Sequence, residues 1–179
     1  MSGMVGPGAG VAAGVEDALS ILVGERLRYL GRAADLAWIG FGDDVEVRSE
    51  LTGAMRTLAE HALHVQCALR IAGPDGPFVG GGDMWIWPDP GAADRERPDV
   101  GEALFDRRAD QLASVGDTGL VTVATIQADD WGGFVLLCSH GWSVEVFPDT
   151  TASEEQWRYF RPGDHDSHFV VFDEEEASK

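Results

Sequence analysis

The sequence predicts an α+β fold: a mostly antiparallel β-sheet with an N-terminal helix, one middle helix and a short C-terminal helix. Three observations carry this. The run "LHVQCALRIA" alternates, with Leu63, Val65, Cys67, Leu69 and Ile71 pointing one way and His64, Gln66, Ala68 and Arg70 the other. Three apolar runs, "LVTVATIQA", "GFVLLCS" and "WSVEVFP", follow one another at meander spacing. Only a few stretches between the strand runs carry helical periodicity.

Residues 1–13 are rich in Gly and Ala and read as a disordered tail. Val15, Ala18, Leu19 and Leu22 recur at helical spacing, which places an amphipathic helix over about 15–26. "AADLAWIGFG" reads as a strand near 33–41 that ends at the turn signal Gly42-Asp43-Asp44. Residues 43–57 allow two readings: Val45 and Val47 favour an extended piece, and "LTGAMRTLAEH" suits a short helix. The alternating strand runs into "GPDGP" and then "FVGGGDMWIWP", a hairpin across a Pro/Gly turn. "PDPGAADRERP" (88–98) is a charged, Pro-rich loop. Asp99 and Glu102 resemble a capping box, and Phe105, Ala109 and Leu112 form the buried stripe of a helix ending by Gly116.

His140-Gly141 marks the tight turn between the last two meander strands. Ser153 and Gln156 form another S-x-x-Q capping box, starting a short helix that holds Trp157. Pro162-Gly163 ends that region, "GDHDS" turns the chain, and "HFVVF" is the last strand. The organisation is therefore a tail over 1–13, one α+β domain over 14–173 and an acidic tail over 174–179.

At 179 residues with 44% hydrophobic content, the chain can bury a core without staples. Its 31 acidic residues stand against 13 basic ones, a formal net charge of −18. That balance disfavours nucleic-acid phosphates and anionic membranes, and leaves a basic protein, a cationic ligand or no partner at all. Lys179 is the one lysine among those basic residues, a usage that suggests a GC-rich bacterial genome. The N-terminus lacks a basic region followed by an apolar one, and no apolar run approaches the roughly 20 residues that span a membrane. Cys67 and Cys138 lie in apolar, strand-like stretches and read as core hydrophobes in a reducing cytoplasm, although their count allows one disulfide. Oligomeric state is open.

Histidines supply the main chemical temptation. His61/His64 and His165/His168 are H-x-x-H pairs, which share a face in a helix but point apart in a strand. His64 lies in the best strand and His165 follows Pro162-Gly163, so neither pair has the helix that metal ligation at this spacing needs. His64, His165 and His168 are the candidate metal ligands, with Asp164 or Asp166 beside them, against the plainer reading of a solvated turn and a strand histidine. Cys138-Ser139-His140 sets a thiol beside an imidazole, but Cys138 shares its parity with Phe134 and Leu136 and belongs inside. "GGGD" at 80–83 lacks the Lys-Ser/Thr of a phosphate loop and reads as a β-bulge or a close backbone approach. No nucleophile elbow, zinc-finger or zincin motif appears, so neither a cofactor nor a catalytic residue is implied.

Arg70, Asp83, Glu145 and Arg158 are charged residues inside otherwise apolar segments. They read as salt bridges tying strands together, or as the polar floor of a ligand pocket walled by Trp85, Trp87 and Trp157. The sequence points to a small acidic binding protein for a basic partner, as immunity proteins and antitoxins are for cationic toxins. The alternative is a small-molecule or metal-dependent enzyme working from the His/Trp face, and a third is an assembly subunit pairing through an exposed sheet edge.

The stretches "GRAADLAWIGFG", "ALHVQCALRI", "DMW", "ADDWGGFVLLCSHGWSVEVFPD" and "EQWRYFRPGDHDSHFVV" together resemble an uncharacterised family of small bacterial proteins found across actinobacteria and firmicutes. The resemblance covers most of residues 21–172 and departs at Ala68, where the family carries an aromatic before the arginine matched by Arg70. It implies a bacterial cytosolic origin and assigns no activity, cofactor or functional residue.

Overall fold

The computed structural model describes residues 3–5, 10–49, 52–89, 91, 97–116, 118–151, 154–164 and 168–171. The elements in order are β1 (Gly3–Val5), α1 (Val11–Leu19), β2 (Leu27–Ala33), β3 (Leu36–Arg48), β4 (Met55–Val65), β5 (Ala68–Gly73), β6 (Gly76–Gly80), α2 (Leu104–Gly116), β7 (Val123–Ala128), β8 (Phe134–Cys138), β9 (Ser143–Phe147), β10 (Trp157–Phe160) and β11 (Phe169–Val171). They form two sheets, one of six strands in the order β1-β11-β10-β4-β3-β2 and one of five in the order β6-β5-β9-β8-β7. Every pairing is antiparallel except β1 with β11. The α+β class and the antiparallel sheets match the expectation; the division into two sheets is new. None of the described helices is long and apolar enough to cross a membrane.

The long alternating run is the corner between the sheets. β4 ends at Val65 in the first sheet and β5 begins at Ala68 in the second. The alternation continues through the bend, so Leu63, Val65, Leu69 and Ile71 all reach one core. Rows across the first sheet set Ala37, Val65, Trp157 and Val171 side by side, then Ile39, Leu63, Tyr159 and Phe169. Phe134, Leu136, Val144 and Val146 of the second sheet complete the core. Trp157 meets Phe134 edge to face, with centroids 4.7 Å apart.

Helices cover open edges. α2 packs against β2 and β6, edge strands of different sheets, through the expected Phe105, Ala109 and Leu112. Its last residue, Gly116, lies so close to β2 that a Cβ there would sit 2.1 Å from the Arg28 carbonyl oxygen. The carboxylate that organises its start is Asp106, not the Asp99/Glu102 pair: Asp106 accepts the N–H groups of Gly101 and Ala103, each at 2.9 Å. Asp106 also receives both arms of the Arg32 guanidinium at 2.9 Å, and Arg32 is only 4% exposed. Burial pushes the Asp106 carboxyl upward, but hydrogen bonds from Arg32 and Ala103 and the Arg32 charge outweigh it and hold the carboxyl below its usual range.

Several boundaries differ from expectation. Val11–Ala13, expected in the tail, form the first turn of α1, and Gly3–Val5 pairs with β11. The first helix stops at Leu19 and a 3-10 turn at Leu22, because Gly24 is left-handed (φ 93°) and residues 24–27 hydrogen-bond to 121–123 instead. β2 was not anticipated, and Gly42-Asp43 is a bulge rather than a strand end: Gly42 has φ 84° and β3 carries one extra residue opposite β4. "GGGD" is not a bulge, since β6 ends at Gly80 and Asp83 accepts the Gly80 N–H at 2.9 Å to open a 3-10 turn over Gly81–Trp85. The short C-terminal helix is absent from the described residues. Residues 157–160 form β10, since Trp157 and Tyr159 point inward while Arg158 and Phe160 point out, a period of two that pairs with β4. Ser153, the residue that would cap such a helix, lies outside the described residues, as do His165, Asp166 and the acidic tail.

Candidate functional site

The residues singled out for a ligand pocket do not share one face. Arg70 and Glu145 face each other across β5 and β9 on the outer side of the five-stranded sheet, with Arg70 Nε 3.0 Å from the carboxylate. Arg158 is on the outer side of the six-stranded sheet, paired with Glu155. Trp157 is fully buried between the sheets. Asp83 holds its own turn, and Trp85 is exposed with the Arg97 guanidinium 4.9 Å above its ring. The charged residues thus act chiefly as ties between neighbouring strands and turns.

Strand geometry separates His61 from His64. His61 points inward, buried, with Nδ1 2.8 Å from the Tyr159 hydroxyl. Burial lowers its pKa against the upward pull of Glu60 and Glu25, and burial likewise pushes Tyr159 up to about 12. His64 points outward beside Trp38 and Arg158, edge-on to Phe160 at 4.6 Å; burial, then the Arg158 charge, lowers its pKa. His168 stacks on Phe160 at 5.5 Å, so His64 and His168 do meet one ring on one face. Among the described residues no group of three or more His, Cys, Asp or Glu is arranged to hold a metal ion. Both cysteines are free, and burial raises Cys67 to about 12, with help from the Asp149 charge, and Cys138 to about 11. Neither thiol supplies thiolate near neutral pH.

Of the clefts that open on the surface, two lie beside residues named above. One of about 500 Å³ lies between the outer arm of the β3–β4 hairpin and the 161–164 turn, and Glu60, Arg161 and Asp164 face it. The other, about 300 Å³, sits beside the strand corner between Asp35, Cys67, Met84, Trp85 and Asp149.

The most prominent feature is one that sequence reasoning passed over. Trp131, at the tip of the β7–β8 hairpin, is 73% exposed, more than any other large hydrophobic residue among those described. Its turn is tightly built. Asp129 Oδ1 accepts the N–H groups of Trp131 at 2.8 Å and Gly133 at 2.9 Å, while the Asp129 N–H donates to the Gly133 carbonyl at 2.9 Å. At Gly133 a Cβ would lie 2.5 Å from the Asp129 carboxylate and 3.2 Å from the Val146 carbonyl oxygen, so a side chain there would push on the group that builds the turn. From the core, Trp157 Nε1 donates to the Gly132 carbonyl at 2.7 Å. Glu16 of α1 accepts the N–H of Ala128 at 3.2 Å, which sets the acidic side of α1 against the shoulder of the same hairpin. The signal available in the sequence was an aromatic between Asp-Asp and Gly-Gly, where a hairpin tip is ordinarily polar.

Charge is distributed unevenly around this turn. Residues 1–25 and 109–157, which supply α1 and the β7–β8–β9 meander, contain no lysine or arginine. Elsewhere, Arg26, Arg28, Arg32, Arg70, Arg107, Arg158 and Arg161 are each ion-paired to a carboxylate of the same chain. Comparison with known proteins finds no match to a family model, to a curated protein or to a solved structure.

Proposed function

We propose that this chain is an acidic, non-catalytic binding protein that engages a basic protein partner, acting in a bacterial cytosol as immunity proteins and antitoxins do against cationic toxins. The observation that carries the reading is the internal neutralisation of its arginines. Seven of them spend their charge on carboxylates of the same chain, so the formal −18 is carried by acids in excess of those pairs. Such a field speeds encounter with a cationic surface and repels nucleic acid. Native mass spectrometry of the protein isolated gently from its own cells tests it. The expected result is an added protein mass that leaves as salt is raised; a bare chain, or a complex indifferent to salt, would sink the reading.

One observation favours a second reading, a metal- or small-molecule-dependent enzyme on the outer face of the six-stranded sheet. His64 and His168 flank Phe160 there, with Trp38 alongside His64. Metal uptake abolished by exchanging both histidines for alanine would support it, and unchanged metal content would remove it.

A further inference from the structure

The acidic reading leaves open where a partner would dock, and resting on that reading, we propose that the Asp129–Gly133 turn is the docking point, with Trp131 receiving an arginine side chain from an extended cationic segment of the partner. Trp131 is the aromatic most exposed to solvent among the described residues, yet its backbone is among the most constrained. Hydrogen bonds to Asp129 and the tie from buried Trp157 hold the indole out without leaving the turn free to collapse. A side chain presented on a preformed turn loses little conformational entropy on binding, which is the property of interface anchors.

Charge selects the occupant. An exposed indole alone would accept any apolar group, but this one stands next to Asp130 on a hairpin whose Ala128 is held by Glu16, both acids exposed, in a part of the chain that contains no lysine or arginine. A guanidinium stacks on the indole face while its free N–H groups reach the carboxylates, a pairing that ammonium groups make less well. The molecule already displays this chemistry within itself, where Arg97 lies over Trp85 at 4.9 Å and Arg108 over Phe78 at 5.3 Å. An acidic or apolar segment would leave Asp130 and Glu16 without counter-charge against the contact.

The experiment is titration of the full chain with a fluorescent oligo-arginine peptide, with an oligo-lysine peptide as comparison, at low and high salt. Wild type binds oligo-arginine more tightly than oligo-lysine, and Trp131→Ala weakens oligo-arginine by about tenfold or more. Trp131→Phe keeps part of the affinity, and the gap between wild type and Trp131→Ala persists at high salt because ring stacking is screened less than surface charge. Trp85→Ala, the exposed-tryptophan control, binds as wild type. If oligo-arginine binds equally well to wild type and Trp131→Ala, the docking point is wrong while the acidic reading stands. If neither basic peptide binds at low salt, the acidic reading fails and this inference with it.

Discussion

Asp106 and Asp129 perform the same local task at two places in the molecule. Each carboxylate gathers two backbone N–H groups and so sets the path of a loop, 101–103 before α2 in one case and 129–133 between β7 and β8 in the other. Their surroundings then diverge. Asp106 also takes the buried Arg32 fork, and the whole assembly closes the gap between two sheet edges. Asp129 takes no arginine in the described contacts and holds Trp131 out into solvent. One device is committed to stability and the other to presentation, and what distinguishes them is the charge that arrives from a remote strand.

That contrast can be broken at its strongest point first. Arg32→Ala should cost about 3–5 kcal/mol in urea unfolding, because it strands a partly buried carboxylate and removes the link from β2 to α2. A loss below about 1 kcal/mol would mean that Asp106 holds the loop alone, as Asp129 does. Trp157→Phe comes next. It keeps a ring against Phe134 but leaves the buried Gly132 carbonyl without its donor, for about 1–2 kcal/mol, and amide exchange at Trp131 and Gly133 should quicken. Unchanged exchange there would show that Asp129 alone keeps the turn rigid.

Acid provides a graded test. His61 and His64 have folded pKa values below the ordinary 6.5, so above that value neither group links folding to protons. As pH falls below 6.5 the unfolded chain gains protons that the fold refuses, and stability declines until the lowered folded pKa values are passed. Around His61 burial sets this balance first, with Glu60 and Glu25 opposing it and Arg161 adding to it, while the Tyr159 hydroxyl is the ring's hydrogen-bond partner. His61→Gln should flatten the decline, while the contribution of Asp106, with its depressed pKa, persists until more acidic pH and is lost as pH falls through that folded value. A decline of the same slope in His61→Gln would place the proton linkage elsewhere. The smallest effect on stability belongs to Trp131→Ala, expected within about 0.5 kcal/mol of wild type, since an exposed ring leaves no cavity. A larger loss would make the ring part of the scaffold rather than something displayed by it.

Much of the fold was legible in the chain. The hairpin across "GPDGP", the meander, the buried stripe of α2 and the last strand follow from local period and turn chemistry and are present, although the second hairpin strand ends at Gly80 instead of running through "MWIWP". Failures came where one local signal had two outcomes. Gly42-Asp43 suits a strand end or a bulge, and β3 continues past it because Asp44 to Arg48 find partners in residues 55–59 of β4. "EEQWRYF" suits a capped helix or a strand, and the free edge of β4 selected the strand. The candidate site was read less well. Trp157 drew attention for its charged neighbours and is wholly internal, whereas Trp131 passed unnoticed within a turn.

By itself the sequence determined the sign and size of the charge, the inward and outward sets along the alternating run from Leu63 to Ile71, and the absence of cations from residues 1–25 and 109–157. These are additive or strictly local properties, unaffected by which segments meet. Tertiary structure alone decided that Arg32 reaches Asp106 across 74 positions, that one alternating run bends from the first sheet into the second, and that the Trp157 N–H braces the turn carrying Trp131. Each depends on chain segments distant in sequence becoming neighbours, and no local period or composition encodes which neighbour that will be.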